Sequence, residues 1–201
     1  MASSKVQIFN LALLRAGSSK RVNDADEGSN EANICNEFYD QSLAFVLEDR
    51  PWRFAKTRVY LAQKAGTPPS VWQYQYSVPS DCLKARYIVT PGMRTQLMDQ
   101  KIPFEKAYAG GPVIYTDLEE AELVYTALVE NVSWFPPSFV SALAYHLASE
   151  IALPLRGERS AGLISMLQSA YLQHVNIAAA NDLNQGFDQP PVNEFERARN
   201  A

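Results

Sequence analysis

Apolar residues recur at three- and four-residue steps from near the start of the chain. Val6, Phe9, Leu13 and Ala16 share one helical face, Ser3 and Ser4 are candidate N-caps, and Gly17 stands where a helix commonly stops. The polar stretch from Ser18 to Gly28 reads as a loop. The helical period returns from about Ser29 to Asp49, with Ala32, Cys35, Tyr39, Leu43 and Val46 as a stripe widened by Ile34, Phe38 and Leu47. Asn36, Glu37, Asp40, Gln41 and Glu48 fall on the other side, and Pro51 closes the helix because the residue before a proline avoids helical backbone.

The period then drops to two. Thr57, Val59 and Leu61 alternate with Arg58 and Tyr60; after Gly66-Thr67-Pro68-Pro69, the residues Trp72, Tyr74, Tyr76 and Val78 alternate with Gln73, Gln75 and Ser77. Further short strands are expected at Ala85–Val89, Val113–Thr116 and Glu122–Val129, with Leu123, Tyr125 and Ala127 on one face. Gly92, Pro103, Gly110, Gly111 and Pro112 punctuate the loops between them. Helical spacing resumes after Pro136 and Pro137 with Phe139, Leu143, Leu147 and Ile151, and Pro154 is expected to end or kink this helix. A fourth helix, about Arg159 to Asn184, carries Leu163, Met166, Leu167, Ala170, Tyr171, Val175 and Ala178. From Gly186 the pattern lapses into a polar, proline-containing tail that buries too little apolar surface to order alone.

The expected fold class is therefore α+β: a bundle of long helices from the N- and C-terminal parts, with an inserted antiparallel β region and an extended C-terminal arm. The expected divisions are residues 1–52 for the N-terminal helices, 53–135 for the β insertion, 136–185 for the C-terminal helices and 186–201 for the arm.

Composition narrows the function classes. Of 201 residues, 47% are hydrophobic, enough for a real core, and 20% are charged. The formal net charge of -4, with no basic block, disfavours a generic grip on phosphate backbones. Cys35 and Cys82 lie far apart and form neither a disulfide framework nor a metal motif, so they read as small buried hydrophobes. No signal peptide is expected, and no run approaches the roughly 20 apolar residues of a membrane span.

No catalytic constellation emerges. His146 and His174, the only histidines, sit inside expected helices, and neither G-x-S-x-G, H-E-x-x-H nor C-x-x-C occurs. Gly110-Gly111-Pro112 lacks the lysine of a phosphate-binding loop. Asp117, Glu119, Glu120 and Glu122 raise a cation site or a pair of catalytic acids, but lack calcium-loop periodicity and read better as a solvated turn entering a strand. Trp52, Phe54, Trp72, Tyr74, Tyr76 and Tyr87 crowd the start of the β region beside Arg50, Arg53, Lys56 and Arg58. Such residues can stack nucleobases, fill a core or anchor an interface; core and interface roles suit a helix–strand junction better.

Several of these segments resemble the phage tail tubular protein A family of head-to-tail adaptors. Ile8-Phe9-Asn10-Leu11-Ala12-Leu13 with Ala16-Gly17 resembles its opening, and Asn33 to Val46 with Phe38-Tyr39-Asp40 resembles its second helix. Arg50-Pro51-Trp52-Arg53-Phe54-Ala55 is similar to its exit into the first strand. The most specific piece is Trp72-Gln73-Tyr74-Gln75-Tyr76-Ser77-Val78-Pro79-Ser80-Asp81-Cys82-Leu83-Lys84, and the helix from Pro137 to Leu153 also fits. The likeness spans most of residues 6 to 155 and weakens in Thr90–Gly111 and the tail.

The resemblance implies a structural virion protein of the tail or neck, assembled in the host cytoplasm, with neither enzymatic activity nor a cofactor or metal. Its implied partners are the portal protein, the tail nozzle or tail tube protein, further copies of itself in a ring of about twelve, and passing double-stranded DNA held without sequence specificity; no membrane is implied. Trp52, Phe54, Trp72, Phe187, Phe195, Arg197 and Arg199 are the candidate contacts to neighbouring subunits or the portal. Three other readings stay open: a neck protein of a long-tailed phage, a lytic enzyme using the Asp117–Glu122 acids, and a single-strand nucleic-acid module.

Overall fold

A computed structural model describes residues 4–93 and 101–183. Within them the protein is mixed α+β, with four α-helices and two small antiparallel sheets. Helix α1 spans Lys5–Arg15, capped by Ser4, whose hydroxyl accepts from the Gln7 N–H at 3.1 Å. Helix α2 spans Asn30–Asp49, capped likewise by Ser29. The Ser18–Gly28 loop is pinned by two side chains. Asn10 bonds both the N–H and the C=O of Val22 at 2.8 Å, and Asn36 donates to Ala25 O.

Gly17 ends α1 as its position suggests. It takes φ +79°, and the Ser18 N–H returns to Leu13 O at 2.9 Å. A Cβ there would stand 2.2 Å from Arg156 Nη1, the atom that donates to Ala16 O. Gly17→Ala therefore combines left-handed strain with displacement of that guanidinium. The expected loss is about 1–2 kcal/mol, read as a drop of roughly 3–6 °C in the unfolding midpoint.

Strands β1 (Lys56–Tyr60), β3 (Cys82–Val89) and β6 (Glu122–Ala127) form one sheet in the order β1-β6-β3. Central β6 is buried at every position, so the one-faced pattern expected for Leu123, Tyr125 and Ala127 is replaced by burial on both faces. Edge strand β1 departs from the expected alternation: Val59 and Tyr60 are exposed, and Lys56 and Arg58 give the edge the charges that discourage further pairing.

Strands β2 (Tyr74–Ser77), β4 (Phe104–Tyr108) and β5 (Pro112–Thr116) form the second sheet, in the order β2-β5-β4. Register pairs Tyr76 with Ile114 and Lys106 with Ile114 across the two antiparallel ladders. Gln75, expected on the polar face of β2, is buried instead, and its amide donates to Ala65 O at 3.0 Å. Strand β4 lies where only loop was expected. Its ladder with β5 and the Gly110-Gly111 turn supply what its own residues do not.

Helix α3 (Pro137–Arg156) packs against α1, α2 and α4 (Ala161–Leu183). It passes through Pro154 rather than ending there: the proline sits in the last turn, where few bonds remain to lose, and Gly157 at φ +65° stops it. By length and composition α3 is apolar enough to cross a membrane, contrary to the expectation from sequence. Burial of 56% of the window accounts for that composition, since Phe139, Leu143, Leu147 and Ile151 form the middle of a core.

Two compact units follow from the contacts. One holds residues 4–57, 81–84 and 125–183, with all four helices around the core that α3 organises. The other holds residues 58–80, 85–93 and 101–124, with the β2-β5-β4 sheet and its own buried residues Tyr76, Ile88 and Ile114.

Candidate interface surfaces

The residues nominated from sequence fall in different places. Trp52 is 1% exposed; its indole N–H donates to Val46 O at 2.7 Å and its ring meets Phe139 edge-on at 5.1 Å. It belongs to an aromatic cluster with Phe54, half-buried, and Phe135, both 4.9 Å from Phe139. Neither Trp52 nor Phe54 presents a free ring at the surface of the single chain. Trp72 is half-buried in the other unit, its Nε1 donating to Glu105 at 3.1 Å. Phe187, Phe195, Arg197 and Arg199, with the expected C-terminal arm, lie outside the described residues.

The acidic run is divided by its surroundings. Asp117 accepts from the Gln73 N–H at 3.0 Å, Glu119 and Glu120 are exposed, and Glu120 takes φ +56° in the turn before β6. Glu122 is buried rather than solvated and pairs with Arg58 on the neighbouring strand. Among the described residues no group of three or more His, Cys, Asp or Glu is placed to hold a metal ion.

A different feature, not foreseen from sequence, stands out in the helical unit. A groove of about 490 Å³ runs between α2, α3 and α4. Phe45, 52% exposed, stacks on His146 at 4.4 Å, and Tyr171 meets His146 edge-on at 5.2 Å. Tyr171 donates to Asp49 at 2.7 Å; burial and that carboxylate together hold its proton on well above the usual range. Gln41, Gln168, Glu150 and Leu172 form the rim. Ser42 Oγ and His146 Nδ1 are buried in the walls without hydrogen-bond partners, although Ser42 as a whole is only 1% exposed. An interior polar atom left unpaired is costly, and both atoms lie shielded behind the groove's surface rather than open to it.

Desolvation pulls His146 down to about 4 from an ordinary 6.5, with Asp49 acting weakly against it. The unfolded chain then binds a proton between pH 6.5 and 4 that the folded chain refuses. Stability therefore falls as pH drops through that window and levels off below it, by at most about 3 kcal/mol. His146→Phe is expected to flatten this slope in denaturant titrations at pH 7, 5.5 and 4. An unchanged slope would assign the acid sensitivity to other groups.

The solvent-facing half of α4 adjoins this groove. From Ala161 to Asn181 the helix carries no Asp, Glu, Lys or Arg, and Met166, Leu172 and Ile177 are each more than half exposed. Between these apolar side chains the exposed face carries Ser165, Gln168, Ser169, Gln173 and Asn176, the last accepting from the Arg50 guanidinium at 2.7 Å. No protein-family model matches the chain, and no curated protein matches it in sequence.

Proposed function

We propose that this chain is a non-enzymatic structural subunit of a bacteriophage tail, a head-to-tail adaptor of the tail tubular protein A type. In this reading it forms a ring that joins the portal to the tail nozzle or tube and lines the DNA channel. The observation that carries it is the order and spacing of the matching segments: Ile8–Leu13 on α1, Arg50–Ala55 between α2 and β1, and Trp72–Lys84 from β2 into β3. The four helices are then a bundle built from both ends of the chain, the β strands its insertion, and residues 186–201 an arm that orders on a partner.

The exposed face of α4, whose own residues carry no charge from Ala161 to Asn181, supports the same reading. It is a surface suited to another protein rather than to a reacting small molecule. A heterologous contact repeated about an axis closes into a ring when its rotation allows. The arm gives a direct test. A chain ending at Gln185 is expected to fold, with unchanged far-ultraviolet circular dichroism, and to co-purify with its cognate portal at least tenfold less than the full chain. Undiminished portal binding by the shortened chain would remove the arm from the account.

A further inference from the structure

We propose that the α2–α3–α4 groove binds an organic cation, an ammonium or guanidinium group on an apolar stem, with Glu150 as its counter-charge. At about 490 Å³ the groove is large enough for a small-molecule ligand. Its walls are aromatic. Phe38 and Phe45 stand about two turns apart on α2, and Tyr171 lines the α4 side. His146 stacks on one face of Phe45 at 4.4 Å, yet the phenyl is 52% exposed, so its other face is open. The open face of an aromatic ring attracts a cation, most strongly where water is partly excluded.

Charge selects this ligand. Among the described residues of the lining, Glu150 alone is charged at pH 7; it is exposed, and its carboxylate has no hydrogen bond or ion pair. The Gln41 and Gln168 side chains on the rim are likewise unengaged, and their amide oxygens can accept from a guanidinium or an ammonium. No lysine or arginine is in that lining, and burial holds His146 uncharged at pH 7, so an anion meets only repulsion. A metal ion is a poor fit for another reason: a hard cation needs several oxygen ligands, and the lining offers one carboxylate.

Arg50 stands away from this carboxylate. Its guanidinium donates to Asn176 at 2.7 Å, about 12 Å beyond Gln168 along α4. Helices α3 and α4 run antiparallel, since His146 meets Tyr171 while the earlier Ser141 and Tyr145 meet the later His174. Glu150, one turn after His146, therefore lies on the Gln168 side of Tyr171, at the end of the groove opposite Arg50. Head and stem then have fixed places. The charge sits among Glu150, Gln41 and Gln168, and the stem runs along Phe45 and Leu172 toward Tyr171. One exposed carboxylate and an open ring face make a weak site, with a dissociation constant of about 1 mM for a small probe at low salt.

The test is a nuclear magnetic resonance titration of the full chain at pH 7 with N-butylguanidinium and its neutral isostere N-butylurea. The two share stem and shape and differ in charge. N-butylguanidinium is expected to shift the amides of residues 38–45, 146–150 and 168–172 to saturation, and the urea to bind at least fivefold more weakly. Glu150→Gln is expected to bring the guanidinium down to the level of the urea and to leave the urea unchanged. Glu150 is exposed, so circular dichroism and melting of this variant are expected to match the parent chain. Equal binding of the two probes overturns the proposal. So does undiminished guanidinium binding by Glu150→Gln, or shifts confined to other acidic segments such as Asp117–Glu120, which mark attraction by charge alone. A blocked Gly-Arg-Gly peptide then separates the two sources of such a cation. Tighter binding than N-butylguanidinium assigns the groove to an arginine side chain of a protein, and weaker binding assigns it to a small free cation. The site stands apart from the virion role: a chain that ignores the portal yet binds the guanidinium loses the role and keeps the site.

Discussion

Trp52→Ala is expected to remove about 4 kcal/mol from the stability of the helical unit, the largest effect of any single truncation considered. Two losses add. The first is volume at a site 1% exposed, where Phe139 and Phe54 close around the indole and backbone from the end of α2 limits collapse. The second is polar. Val46 O belongs to the last turn of α2, whose carbonyls lack partners further along the helix, and the indole N–H fills that vacancy at 2.7 Å. Trp52→Phe separates the two, keeping most of the packing and losing the bond, at about 1–2 kcal/mol. Denaturant midpoints with unchanged slopes give both numbers. An alanine variant within about 1 kcal/mol of the parent would mean that Trp52 acts at an interface rather than in the core.

The second large effect is expected in the other unit. Arg58→Met leaves the Glu122 carboxylate, 7% exposed, beside the Tyr60 hydroxyl but without its cation. Breaking a buried pair from one side costs about 3–5 kcal/mol. Arg58 is one-third exposed and also donates to Met93 O, so water moderates the cost and a loss of about 3 kcal/mol is expected. Glu122→Gln strands only the partly wet guanidinium and should cost less, about 1 kcal/mol. The double variant Arg58→Met with Glu122→Leu should recover most of the loss, because an apolar pair in this position has no ion to desolvate. Equal losses for the two single variants would show that the pair is solvent-screened and contributes little.

The helices were legible in the sequence because their signals are local. Ser4 and Gly17 bracket α1, Ser29 and Pro51 bracket α2, and the apolar spacing between them has one period. Strand β4 was not legible, since Phe104–Tyr108 carries two charged residues and follows a proline; its identity comes from the ladder with β5. The Gly110-Gly111 turn between two short alternating runs was the signal that could have found it. Glu122 looked like one more acid in a solvated run because its partner Arg58 is distant in sequence and adjacent only across the sheet.

The candidate surfaces were harder still. Aromatic residues at a helix–strand junction suit core and interface equally, and only the direction of the Trp52 ring, set by Val46 and Phe139, separates these. Nothing in the local sequence of Phe45 distinguishes an exposed aromatic from a buried one. The absence of charge from Ala161 to Asn181 was readable in the sequence. Its meaning depends on Met166, Leu172 and Ile177 facing solvent, which only the packing of α4 on α3 reveals.

Native mass spectrometry of the purified chain, alone and mixed with its cognate portal, tests the adaptor role most directly. The account predicts that the chain joins the portal as a stoichiometric ring of about twelve copies. A chain that remains a monomer or dimer with no affinity for the portal would contradict it.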